Sequence, residues 1–293
     1  MNRANLMIKM KYALRFLPDL IYIKLYFRLT LKRKLNLKNP ITLNEKLQWM
    51  KFNDRNPMYT MVSDKLAVRP YIEQVIGKEY LVPLLGKWDN FDDIDFNTLP
   101  CQFVLKCNHD SGGLVLCKNK DQLNIKAAKR KINESLRRQF YYIGREWQYK
   151  AIKPTIFAEA LLLDEDGNPP ADYKISCFNG EIDNIMVCID RFTESGVKFY
   201  FFDKDWNFLR YNKDDDKLPA DFTIKKPDNL NEMLEIARKL SKPFNFARID
   251  LYNIKGKIYF SEITLSPNSG FDTDITYETD LLLGEKLHIP YAF

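Results

Sequence analysis

The stretch FARIDLYNIKGKIYFSEITLSPNSG, residues 246–270, constrains the fold more than any other part of the chain. Two β-rich runs flank Lys255-Gly256-Lys257, and such a pattern closes as an antiparallel hairpin. With a three-residue turn, Asp250 lies opposite Glu262 and Arg248 opposite Thr264, so two carboxylates, a guanidinium and a hydroxyl share one face. Facing carboxylates repel unless positive charge lies between them, and a hard cation with oxygen ligands supplies it simply. The same pattern also fits a solvated hairpin with both carboxylates turned outward. A one-residue slip in register would flip one strand's side chains to the other face.

A second cluster centres on Lys106, which ends the apolar run FVLKC before Asn108-His109-Asp110-Ser111-Gly112-Gly113. A lysine on a buried strand needs an anionic partner, and a Ser-Gly-Gly tip lets backbone N–H groups close on phosphate oxygens. An ordinary strand end and hairpin turn would look the same. His109 reads either as a base at this tip or as a bystander. Around these runs, Thr42 caps a helix over LNEKLQWMKF, and SDKLAVRPYIEQVIG reads as one capped helix ending at Gly77. TIFAEALLL reads as a strand, DYKISCFNGEIDNIMVCIDR as two strands around Asn179-Gly180, and VKFYFFDKDWNFLRY as another hairpin. A helix from about residue 228 to 240 gathers Leu230, Met233, Leu234, Ala237 and Leu240 on one face. Strands and helices mixed without strict βαβ alternation predict an α+β fold on largely antiparallel sheets. No serine elbow, Walker loop or dinucleotide fingerprint occurs.

Composition narrows the chemistry further. The 293 residues are 45% hydrophobic, enough for one large domain with an appended lobe or for two moderate ones. Five cysteines without C-x-x-C spacing read as reduced core residues, and His109 and His288 are too few for a histidine-based zinc site. Any metal is therefore expected on oxygen. Residues 1–40 hold ten Lys/Arg against Asp19 alone, so the basicity of this +6 chain belongs to its N-terminal arm. Arg15, Pro18, Asp19, Lys24 and Arg28 interrupt the apolar segment 13–30 too often for a spanning helix or a signal-peptide core. Such an arm suits anionic lipid or a phosphorylated or nucleic-acid partner, or else a helical lobe whose Tyr and Leu residues pack on the main domain. A cytoplasmic protein is expected, with the arm in peripheral contact with the anionic inner face of a membrane and with no specific nucleic acid.

The order of these parts resembles a family. LPDLIYIKLYF, NPITLNEKLQWMKF, SDKLAVR, KCNHDSGG, DYKISCFNGE and RIDLYNIKGKIYFSEITLSPNSG together resemble the TupA-like ATP-grasp proteins of bacterial surface-polysaccharide loci. The resemblance covers nearly the whole chain and implies an ATP-grasp fold, two α+β subdomains gripping ATP between antiparallel sheets. It implies a basic, aromatic-rich helical lobe at 1–60 and an ATP-grasp domain at 61–293, with a flap subdomain at about 101–160 and a catalytic one at about 161–293. Lys65 and Lys106 would contact ATP phosphates under a flap of Ser111, Gly112 and Gly113. Glu159, Ala160, Leu161 and Leu162 would meet adenine, and Asp164 or Glu165 the ribose. Lys174, Arg191 and Arg248 would face phosphoryl or acyl-phosphate oxygens. Asp250 and Glu262 would bind Mg²⁺, with Thr264 where the family pattern has Asn, or Asn268, as a further ligand. The implied reaction joins a carboxylate, a uronic acid of a capsular or other surface glycan or its nucleotide-linked precursor, to an amine such as an amino acid or amino alcohol. A sugar kinase on the same ATP site, and a glycosyltransferase or membrane-associated organiser, remain alternatives.

Overall fold

The structure, a computed structural model, describes residues 8, 10–190 and 196–290. Its core is a six-stranded antiparallel sheet in the order β10-β9-β5-β6-β7-β8, built from β5 (Asp172–Phe178), β6 (Glu181–Ile189), β7 (Lys198–Phe202), β8 (Phe208–Leu209), β9 (Phe246–Ile254) and β10 (Lys257–Thr264). Two-residue alternation sorts its side chains. Ile175, Cys177, Ala247, Ile249 and Leu251 point to one face, where Leu230, Met233, Ala237 and Leu240 of the helix Leu230–Ser241 cover them. The polar residues between them, Lys174, Arg248 and Asp250, therefore share the other face.

A second antiparallel sheet, β1-β4-β2-β3, combines β1 (Leu84–Trp88), β2 (Phe103–Cys107), β3 (Val115–Cys117) and β4 (Ile156–Ala160). The helix Ile125–Leu136 closes its apolar side through Ala128 and Ile132. The α+β expectation is met in both sheets. At one end of the large sheet's polar face, the helices Leu43–Asn53 and Tyr277–Lys286 pack through Leu43, Leu47 and Leu283 against Phe178, Phe201 and Phe246. Thr42 and Glu45 form a capping box that fixes where the first of these helices starts. Gly284 lets them approach closely, since a Cβ there would lie 2.1 Å from the Ile41 carbonyl oxygen.

One helix expectation needs correction. The segment 58–75 is two helices, Met58–Ser63 and Arg69–Val75, with a turn at residues 64–68. The Asp64 carboxylate accepts from the Leu66 and Ala67 N–H groups, and Pro70 lies in the first turn of the second helix. The turn-forming side chain and the proline together favour a fresh start over a continuous helix. Of the five free cysteines four are buried, as expected of core residues, and Cys101 is exposed.

Candidate active site

The β9–β10 hairpin reaches the expected pairing by a different route. Lys255 and Gly256, at φ 52° and 79°, form a two-residue turn in place of the expected three, and Lys257 pairs with Ile254. That register alone would place Asp250 opposite Ser261. Instead the ladder shifts between Phe260 and Glu262, so Asp250 faces Glu262 and Arg248 faces Thr264. The bulge residue Ser261 re-aims Glu262 and Thr264 onto the polar face while Phe260 and Ile263 stay in the core.

Around Asp250 the positive charge comes from side chains. Arg248 donates from Nε to Oδ1 and from Nη2 to Oδ2, both at 2.8 Å, and Lys174 of the adjacent β5 donates to Oδ2. Lys174 also pairs with Asp172 at 2.7 Å. Burial is the largest influence on the Asp250 carboxyl and would raise its pKa, but Arg248 and then Lys174 outweigh it, leaving the group lowered. Burial likewise opposes the charge on Lys174, and Asp250 reverses that effect, so the lysine is raised. Glu262 is different: its side chain is 38% exposed, and Arg248 and Lys65 each approach only to 3.9 Å. Thr264 donates to it at 3.4 Å.

These donors bear on magnesium. No group of three or more His, Cys, Asp or Glu placed to hold a metal occurs among the described residues. Asp250 has no solvent exposure and both its oxygens are engaged. Glu262, Thr264 and Asn268, which carry oxygen ligands, instead line one cavity. One carboxylate with neutral oxygens fits Mg²⁺, which uses one or two carboxylates together with substrate phosphates and waters.

In the smaller sheet, Lys106 pairs with Glu159 at 2.8 Å, and Arg69 holds the other Glu159 oxygen at 2.9 Å while donating to the Val82 carbonyl. The Glu159 side chain is thus committed to two cations. Beside it an apolar slot runs between the sheets, bounded by Val104, Lys106, Leu116, Ala160–Leu162 and Tyr252. Strand β4 ends at Ala160, so the backbone from Leu161 onward is outside the ladder. Asp164 instead turns back locally, its carboxylate accepting from the Asp166 and Asn168 N–H groups.

The loop between β2 and β3 is pinned at its base. Asp110, buried, accepts from Ser111 N–H, from Ser135 Oγ at 2.6 Å and from Arg138 at 2.8 Å. Lys65 donates to the Asp110 carbonyl at 2.9 Å. Ser111 and Gly112 form the exposed tip, and Gly112 has φ 83° with open space around it. A Cβ on Gly113 would lie 2.1 Å from Ser135 Oγ, which demands glycine there. His109 is buried with Nε2 3.1 Å from the Arg138 carbonyl oxygen, and burial lowers its pKa. It lines neither of the two cavities beside Arg248 and Glu262, so of its two readings the bystander fits.

A third element is the turn Pro267–Gly270, where Asn268, Ser269 and Gly270 adopt φ of 47°, 54° and 66°. Two consecutive non-glycine residues in the left-handed region are costly and need external support. Gln48 and Lys51 supply it from beneath, donating to the Ser269 carbonyl at 3.0 and 2.5 Å, and Glu146 accepts from Ser269 Oγ at 2.8 Å. Burial pulls the Lys51 ammonium down to about 7. Neither Lys51 nor Arg69, Arg138 and Tyr252 stood out in the sequence. The one available signal was that LNEKLQWMKFN has no clean apolar stripe, as expected of a helix whose polar groups are themselves buried and bonded.

Two cavities flank this centre, of about 230 and 330 Å³, and Ser111, Arg248, Glu262 and Asn268 line both. The first also touches Lys65 and Thr264, the second Lys174, Asn184 and Asp272. Lys106 and Leu161 instead border the slot between the sheets. Arg191 lies outside the described residues.

A family model described as TupA-like ATPgrasp matches residues 45–288. Among curated proteins no sequence matches. Of solved structures, D-alanine–D-alanine ligase from Bacillus anthracis, in complex with ATP, is similar at 16% identity and a TM-score of 0.46, over 78% of this chain and 63% of that one. L-amino acid ligase from Bacillus licheniformis is similar at 15% identity and a TM-score of 0.48, over 92% of this chain and 62% of that one. The chain therefore spans under two thirds of the length of either protein, and the family match carries the assignment.

Proposed function

The chain belongs to the TupA-like ATP-grasp family, and from that premise we propose that it is an ATP-dependent ligase joining a carboxylate to an amine through an acyl phosphate. The observation that carries this reading is the pair of cavities meeting at Arg248, Glu262 and Asn268. A reaction with two acceptors in sequence needs room on both sides of one phosphoryl group. Adenine would lie in the apolar slot against Ala160–Leu162, and Lys106 and Lys65 would meet the phosphates. Glu159 would act by orienting Lys106, since both its oxygens are already paired.

Magnesium would be held by Glu262 with Thr264 and Asn268, Asp250 adding charge from behind, and when bound it would neutralise phosphoryl oxygens. Lys174 and Arg248, ordered by Asp250, would orient the carboxylate and stabilise charge as its oxygen attacks the γ-phosphorus and ADP leaves. The neutral amine nitrogen would then attack the acyl carbon and displace phosphate, which would carry off the proton that the nitrogen loses. The loop Ser111–Gly113 would exclude water while the acyl phosphate exists. Arg191 keeps its proposed place near these oxygens. A uronic acid of a surface polysaccharide, or its nucleotide-linked precursor, is the proposed carboxylate, and an amino acid or amino alcohol the amine. A cytoplasmic protein in contact with an anionic membrane through residues 1–40 completes the proposal.

The test is ADP release from ATP with uronic acids crossed against amines. Release that needs both substrates is the expected result. Release with a sugar alone would make the protein a kinase, and none with any pair would remove the ligase reading. Saturation with ATP and Mg²⁺ at a hundredfold excess over Kd should stabilise the fold by about 2.7 kcal/mol, read as a raised melting temperature.

A further inference from the structure

We infer that the outer face of the helix Asp19–Leu31 is a docking surface for an anionic lipid bilayer. The helix has two unlike sides. Tyr22, Ile23 and Phe27 are fully buried against Phe271 and its neighbours, and the Tyr22 hydroxyl donates to the Ile143 carbonyl at 3.1 Å. On the opposite side Leu20, Ile21, Lys24, Leu25, Arg28, Leu29 and Lys32 fall at helical spacing, and every one is exposed. Ile21 is 54% exposed, Leu29 58% and Phe16, just before the helix, 75%.

The stripe alternates large apolar residues with cations and holds no carboxylate. Asp19 does not offset it, because Tyr141 and Arg145 bind its carboxylate. Apolar side chains set among Lys and Arg suit the boundary between acyl chains and anionic headgroups, where the long cationic side chains reach outward to the phosphates. Thirteen residues make a helix of about 20 Å, which lies along a bilayer and cannot cross it. No described helix is long and apolar enough to span a membrane. A second copy of the chain is a poor partner, since a twofold contact would press Lys24, Arg28 and Lys32 against their own equivalents. Nucleic acid would leave Ile21, Leu25 and Leu29 without apolar cover.

The inner side of the helix rests on Phe271, with Tyr26 edge-on at 4.8 Å, and Phe271 directly follows the turn Pro267–Gly270. Docking would hold that turn about one helix diameter, some 10–12 Å, behind the lipid surface. The inference deepens the membrane contact proposed above and is independent of the ligase chemistry. The buried inner face also means that deleting residues 1–40 would uncover core, so point variants are the proper test.

Sedimentation of the full chain with vesicles of phosphatidylglycerol and phosphatidylcholine, against phosphatidylcholine alone, tests the inference. Binding to the anionic vesicles only, weakened at least tenfold by Ile21→Ser/Leu25→Ser/Leu29→Ser and by Lys24→Glu/Arg28→Glu, is expected. Both variants should keep the wild-type melting temperature and its rise with ATP and Mg²⁺. A wild-type protein that ignores anionic vesicles at low salt, or an apolar variant that binds as well as the wild type, would overturn the inference. So would a concentration-dependent dimer, seen by light scattering, that the apolar variant abolishes. If the nucleotide-induced rise were missing from every protein while vesicle binding behaved as expected, the nucleotide reading alone would fail.

Discussion

Around Glu159 in the four-stranded sheet, two cations, Lys106 and Arg69, meet one carboxylate; around Asp250 in the six-stranded sheet, Lys174 and Arg248 pair closely with Asp172 and Asp250, while a third carboxylate, Glu262, is met only at 3.9 Å, by Arg248 and Lys65. The first cluster is left with surplus positive charge and the second with one loosely held carboxylate, and an apolar slot bounded by residues of both sheets lies between them. An excess cation suits a phosphate, and an open carboxylate suits a metal that arrives with one. The comparison also separates two roles that look alike in sequence. Glu159 and Asp250 are saturated and position their cations, whereas Glu262 is open.

The largest effect expected from this division is on stability at Asp250. Asp250→Asn leaves Arg248 and Lys174 buried without their shared carboxylate and should cost about 3–5 kcal/mol, measured by urea unfolding. A loss under 1 kcal/mol would mean that the second cluster is not held together by Asp250. The same pairing sets a dependence on pH. With its folded pKa lowered, Asp250 stays ionised in the native chain after the unfolded chain has taken up a proton. Its contribution is complete above about pH 4 and is lost as the pH falls further. Melting temperatures below that pH should therefore drop more steeply for the wild type than for Asp250→Asn.

In the other cluster the surplus cation makes the system more tolerant. Lys106→Met leaves Glu159 bound to Arg69, and at a partly exposed site the loss should be about 1 kcal/mol, while ATP affinity falls at least tenfold by calorimetry. Unchanged ATP affinity would make Lys106 purely structural and break the comparison on its positive side.

Much of this was legible in the sequence, and what was not had a physical reason. The facing of Asp250 and Glu262 followed from the two runs around Lys255-Gly256, although a two-residue turn and a bulge at Ser261 stand where a three-residue turn was expected. The two routes give the same partners at that end of the ladder. Hidden was the second source of the charge that satisfies Asp250, beside Arg248. Lys174 reaches it only because β5 pairs with β9, a contact across 76 residues that no local pattern encodes. Arg69 escaped notice for the same reason, since it meets Glu159 from 90 residues away. Lys51 did not stand out because its three partners are a side-chain oxygen, Gln48 Oε1, and two backbone carbonyls, on Gly144 and Ser269, which sequence does not display.

Glu262 carries the smallest expected effect on the fold and the most direct test of the site. Its side chain is exposed and only loosely paired, so Glu262→Gln should alter stability by less than about 0.5 kcal/mol. Its role in the account is to supply the open carboxylate for magnesium beside the phosphoryl group. The deciding measurement is ADP production by Glu262→Gln across a magnesium titration, with the melting temperature followed in parallel. An intact fold whose turnover is lost at every magnesium concentration is expected. Wild-type turnover at saturating magnesium would contradict it.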